Sequence, residues 1–151
     1  SLHDALPICN SNKKSTLRGW FASLGEQIVE VRVEDETRYL LAEHEDELAA
    51  TQPSRATHLL GAFDQFVLGP GTKDTHMLAN KHRSRVSKAA GWIAPVLTQG
   101  GRITGVWEMN DGYLIVTPFP GEQAPSSKEL EDAAARLAAV HGLAKVTPRV
   151  G

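Results

Sequence analysis

The sequence predicts an α+β protein in two parts: a helix followed by a β-hairpin, then a small antiparallel β-meander closed by a C-terminal helix. Three observations predict it. Leu17, Trp20, Phe21 and Leu24 recur at helical spacing and make one apolar face. Ile28-Val29-Glu30-Val31-Arg32-Val33 alternates apolar and polar, as a half-buried strand requires. Asn110-Asp111-Gly112 joins two runs rich in β-branched and aromatic residues, a strong hairpin signal.

Taken in order, Ser15 can cap a helix over residues 16–24, and Gly25 can end it. Glu34-Asp35-Glu36 is a polar turn, and Thr37-Arg38-Tyr39-Leu40-Leu41 returns as the partner strand. A helix followed by a hairpin matches the second half of a winged helix, whose first half is expected upstream. Residues 43–50 read as a short acidic helix, and Thr51-Gln52-Pro53-Ser54 as a linker. The expected boundaries are therefore 1–14 for a start outside the fold, 15–50 for the truncated winged helix, 57–142 for the β domain and 143–151 for a tail.

In the second part, His58-Leu59-Leu60 opens an apolar element, residues 62–68 continue it, and Gly69-Pro70-Gly71 breaks it. Residues 92–98 read as a strand that Pro95 demotes to an edge or a bulge. Residues 102–109 form the next strand, with Ile103, Gly105, Trp107 and Met109 on one face, and residues 113–119 complete the meander. Ser126 and Glu129 make a capping box. Leu130, Ala134, Leu137, Ala138 and His141 lie along one stripe of the closing helix, with Gly142 after it.

Composition bounds the function. The chain of 151 residues has a net charge of -2 at pH 7, so it is not a wholly basic nucleic-acid binder. No apolar run approaches the ~20 residues of a membrane span. The single Cys, Cys9, excludes an internal disulfide framework and a cysteine-based zinc site, which favours a reducing, cytoplasmic setting. Charge is segregated: acids dominate from Glu26 to Glu47, and bases from Lys73 to Lys88. The opening residues Ser1-Leu2-His3-Asp4-Ala5-Leu6-Pro7-Ile8 have no structural period and match the translation of a common short-read sequencing adapter. They are expected to be a scar, with the gene's own sequence starting near Cys9, in its middle.

Catalytic and metal motifs are missing. None of the six His residues falls in a metal-binding spacing, so no metal or other cofactor is expected. There is no Gly-x-Ser-x-Gly elbow and no phosphate-cradling loop. Asp64, set among large apolar residues, is either functional, a turn cap or the partner of a nearby Arg. The segment Lys81-His82-Arg83-Ser84-Arg85-Val86-Ser87-Lys88 puts bases at alternating positions among small hydroxyls. Such cations hold phosphates without reading sequence. Trp92 just beyond it could stack on an unpaired base or belong to the core. Arg18, preceded by Lys13 and Lys14, is a weaker competitor because the neighbouring hairpin is acidic.

The stretches "LLGAFDQFVLGPGTKD", "KHRSRV" and "GWIAPVLTQGGRITGVWE" resemble the C-terminal part of bacterial winged-helix DNA-binding-domain proteins, which include the YcaQ/AlkZ-like crosslink-repair DNA glycosylases. The resemblance covers about residues 15 to 142. It implies tandem winged helices followed by a β-barrel-like domain, duplex DNA as partner, and base excision in full-length members. The catalytic Gln-x-Gln or Gln-x-Asp pair of that family has no counterpart here, since Gln27, Gln52, Gln65, Gln99 and Gln123 lack a Gln or Asp two residues on. The expected function is thus duplex DNA binding by a monomeric C-terminal fragment that is itself inactive. Its expected contacts are Lys81, His82, Arg83, Arg85, Lys88 and Arg18. The alternative is an interaction or small-ligand domain with a groove between Trp92, Trp107 and Tyr113. Deleting residues 1–8 should leave the thermal midpoint unchanged, and a large loss of stability would show that these residues pack.

Overall fold

The computed structural model describes residues 14–33, 36–52, 54–110 and 112–151. The opening eight residues and Cys9 lie outside the described residues, as do Glu34, Asp35, Pro53 and Asp111. The chain divides into two compact units between Gln52 and Pro53.

The first unit runs α1 (Lys14–Leu24), β1 (Ile28–Val33), β2 (Glu36–Leu41) and α2 (Glu45–Ala50). Ser15 lies within the helix rather than capping it. Leu17 is buried, and Phe21 packs edge-on to Tyr39 with centroids 5.0 Å apart. The two strands pair antiparallel from Ile28↔Leu41 to Val33↔Glu36. Directly across the ladder, the Tyr39 hydroxyl donates to Glu30 Oε1 (3.2 Å).

The second unit holds β3 (Thr57–Leu60), α3 (Gln65–Leu68), α4 (Arg83–Val86), β4 (Val96–Gln99), β5 (Arg102–Asn110), β6 (Tyr113–Pro118), α5 (Ser127–Val140) and β7 (Thr147–Val150). The sheet order is β3-β4-β5-β6-β7, antiparallel except for the final β6–β7 pair. This strand β7 was expected to be tail. Its four residues include a Pro and an Arg, which carry little strand signal, and an edge position tolerates Pro148.

The sheet is buried on both faces. On one side Val96, Ile103 and Phe119 join Val67, Met77, Leu78, Val86 and Ile93 from the long excursion between β3 and β4. On the other, Leu97, Trp107, Leu114 and Val116 meet Leu130, Ala134 and Ala138 of α5. Successive residues of a strand point to opposite faces, so Val96 serves one core and Leu97 the other. The predicted capping box holds α5: Ser126 Oγ accepts the Glu129 N–H, and Glu129 accepts the Ser126 N–H at 2.8 Å.

Two expectations about the meander need correction. Ile103 does not share a face with Trp107. Leu97 pairs with Gly105 but Thr98 pairs with Ile103, so Thr104 is an extra residue in β5. A bulge of this kind inverts the alternation beyond it. Of the two readings of the Pro95 strand, the edge is wrong and the bulge is present: β4 lies between β3 and β5, its pairing with β5 shifts register between Leu97 and Thr98, and Pro95 falls just before its first residue. There the missing proline N–H breaks no ladder bond, and the Pro95 carbonyl accepts the Trp107 N–H (3.3 Å). Met109 does share the Trp107 face, as expected, but is exposed near the end of β5.

Trp107 is only 8 % exposed, and its indole N–H donates to the Leu60 carbonyl at 2.8 Å. Trp107→Ala should cost about 3–5 kcal/mol in urea unfolding, as large-to-small core changes do. Full quenching of its fluorescence by a soluble quencher in the native state would show instead that it is exposed.

Candidate nucleic-acid interface

The basic segment is pinned before it is charged. At its start Asp74 accepts the His76 N–H (2.9 Å), and the Met77 carbonyl accepts the Ile103 N–H of β5 (2.8 Å). Met77 and Leu78 are thereby held in the core. A 3₁₀ turn over Asn80–His82 then leads into α4. Leu78, His82 and Val86 follow each other at intervals of four and are all buried. With that stripe turned inward, Lys81, Arg85 and Lys88 are left exposed. Arg83 is half-buried, and its Nε donates to Thr72 Oγ1 at 3.3 Å. The Lys81 ammonium lies beside Gly121.

His82 departs from the expectation that it joins this surface. Its ring is only 4 % exposed and stacks on Phe119, with centroids 4.5 Å apart. It is the underside of the patch. The Glu122 carboxylate stands 4.0 Å from Nε2, too far for a hydrogen bond, and Nε2 has no hydrogen-bond partner. Burial pushes the imidazole below its ordinary value of 6.5, the Lys81 and Arg85 charges push the same way, and Glu122 opposes them.

Beyond α4 the chain turns back sharply. Ser87 bridges Ile93, and the Ala94 N–H donates to the Val86 carbonyl (2.9 Å). Within this turn the Lys88 N–H donates to the Trp92 carbonyl (2.8 Å), while Ala90 and Gly91 take positive φ, 56° and 76°. Trp92 is therefore not core. It is 51 % exposed and meets Phe63, itself 42 % exposed, edge to face with centroids 5.1 Å apart. Reading the sequence alone misses Phe63, which was expected simply to continue the apolar element over residues 62–68. Asp64 is a cap: its carboxylate accepts the Phe66 N–H at 2.8 Å and opens α3.

The other expected sites fall elsewhere. Arg18 is exposed on α1, in the first unit. The proposed ligand groove is not assembled, because its three aromatics have three separate settings. Trp107 packs under α5, Trp92 pairs with Phe63, and Tyr113 lies beneath the Arg149 guanidinium, 3.5 Å from its ring centroid. Tyr113 also alternates with the buried Leu114, so it faces away from Trp107's cluster. His141, expected on the apolar stripe of the closing helix, is exposed at the end of α5. Among the described residues no group of three or more His, Cys, Asp or Glu could hold a metal ion. No described helix is long and apolar enough to cross a membrane.

Comparison with known proteins agrees with this architecture. The model of a family described as "DNA glycosylase AlkZ-like" matches residues 9–140. An "Interstrand DNA cross-link repair glycosylase" of Streptomyces sahachiroi is 48% identical over 141 residues. That match takes in 93% of this chain and 38% of the relative. The solved structure of Streptomyces sahachiroi DNA glycosylase AlkZ superposes with a TM-score of 0.90 at 48% identity, over 94% of this chain and 38% of that one. The chain thus spans well under half the length of the relatives it matches.

The buried His82 makes stability depend on pH in one direction. The unfolded chain takes up a proton near 6.5, and the folded chain only at lower pH. Stability is therefore full above that value and falls as the pH drops through the window beneath it. Urea midpoints from about pH 7.5 down to about pH 5 should fall in the wild type and fall less in His82→Leu. An identical pH profile in the two proteins would assign the loss to other groups.

Proposed function

The chain belongs to the AlkZ-like DNA glycosylase family, and from that premise we propose that it forms the duplex-binding part of a monomeric, cytoplasmic DNA-repair glycosylase. Lys81, Arg83, Arg85 and Lys88 hold the phosphates, and Arg18 adds a contact from the first unit. One observation carries the reading. In a chain of net charge -2, the inward stripe of Leu78, His82 and Val86 leaves the neighbouring cations outward on a segment fastened to the sheet. A rigid basic surface on an acidic protein suits a polyanion.

The division of labour follows from the residues present. No glutamine of this chain has a Gln or Asp two positions on, so the stretch binds rather than cuts. In this reading, α1 with the β1–β2 hairpin is the later half of a winged helix. The whole protein excises a damaged base after drawing it out of the stack, as a glycosylase must to reach the bond. Its substrates include cross-linked duplex, by kinship with the Streptomyces enzyme.

A duplex titration at several salt concentrations tests the proposal, comparing wild type with the Lys81/Arg83/Arg85/Lys88→Ala variant after circular dichroism has established that both are folded. The variant should bind all sequences more weakly, and the slope of log affinity against log salt should shrink by roughly one for each phosphate contact removed. Unchanged affinity and slope would make the segment a solvated surface and overturn the reading.

A further inference from the structure

Phe63 and Trp92 form an exposed aromatic pair beside the basic segment, and the backbone works to keep it there. Among the described residues only two without the freedom of glycine have positive φ: Phe63 itself (58°) and Ala90 (56°), two residues before Trp92. Left-handed backbone is disfavoured for residues that carry a Cβ. Exposed aromatic surface is also unfavourable in water. Both costs fall on the same pair, which is the pattern of a surface held ready for a ligand. In an edge-to-face pair the ring that gives its edge keeps both faces clear of its partner.

The charge around the pair selects the occupant. Lys88 is hydrogen-bonded through its backbone to Trp92, and Arg85 stands on the helix just before it; both are exposed. A flat apolar face close in the chain to two exposed cations, with the neighbouring Asp64 carboxylate accepting the Phe66 N–H, matches a nucleobase attached to its phosphates. A base within an intact duplex hides its faces in the stack, so only an unpaired base can take up this site. Resting on the DNA-binding reading above, we infer that Phe63 and Trp92 are a stacking platform for an unpaired or extruded base, held in place by phosphate contacts to Arg85 and Lys88. The platform lets this part of the protein prefer a disrupted duplex to a perfect one, which phosphate contacts alone do not do.

The test compares a fully paired duplex with the same duplex carrying one unpaired base in a bulge. Wild type should prefer the bulged duplex. Trp92→Leu and Phe63→Leu, checked for folding by circular dichroism, should lose about tenfold of that preference. Their affinity for the paired duplex and their salt slope should stay unchanged. Trp92→Phe, which keeps an aromatic face, should retain most of the preference. The Lys81/Arg83→Ala variant, which leaves Arg85 and Lys88 in place, should lose affinity for both duplexes alike and keep the ratio. If wild type binds both duplexes equally, the platform fails while the DNA-binding reading stands; if it binds neither, both fail. Loss of both affinities together in the leucine variants overturns the platform as well. So does a wild-type dimer that Trp92→Leu converts to monomer, since the pair would then be a protein contact.

Discussion

The second unit depends on one extra residue in β5. Thr104 has no partner in β4, and its carbonyl instead accepts the Phe119 N–H at 2.8 Å. Without it Ile103 and Trp107, four apart, would face the same way. With it, Ile103 serves the core under the basic segment and Trp107 the core under α5. The next residue makes this arrangement possible. A Cβ on Gly105 would stand 2.6 Å from the Thr117 carbonyl oxygen and 3.2 Å from a Leu97 methyl carbon. The strands close up there only because that position has no side chain.

Two cores on one sheet have a consequence for the surface. The excursion between β3 and β4 has little regular structure, yet it contributes Val67, Met77, Leu78, Val86 and Ile93 to a buried cluster. It is a covering layer more than a loop. Its cations are therefore set by packing beneath them, and His82 illustrates how. The imidazole fills space against Phe119 and stays neutral, because a charge there would be desolvated and would face Lys81 and Arg85. A surface residue at that position would give one more cation but would leave Phe119 uncovered.

Legibility in the sequence followed the range of the interactions. Local periodicity and local hydrogen bonds were readable: the alternation of Ile28 to Val33, the Ser126–Glu129 capping box, and the inward face of Leu130, Ala134 and Ala138. Features set by distant partners were not. The bulge at Thr104 arises from pairing with β4 and from the approach of Thr117, neither of which marks residues 102–109 themselves. The strand at 147–150 exists because β6 offers an open edge. In the basic segment, alternation of charge was visible, but the burial of Leu78, His82 and Val86 decides which side chains face outward. His82 reads as a polar neighbour of Lys81 until Phe119, 37 positions on in sequence, takes its place beside it.

That contrast bears on what the proposed DNA-binding role asks of this chain. Phosphate contacts are the same on every duplex, so a basic patch by itself delivers the protein to DNA in general. A repair enzyme must also dwell where the helix is damaged. Damage weakens stacking and pairing, so the energy needed to draw out a base is lowest at the lesion. A site that recognises the exposed face of a base senses that difference directly, and it does so for any base, because every base has a π-face. Placing such a face on a strained turn, fastened through Ser87–Ile93 and Val86–Ala94 to the buried layer, holds it at a fixed distance from the proposed phosphate contacts. Rigidity then acts as discrimination: a base still in its stack cannot meet both the cations and the ring at once, and a released base can.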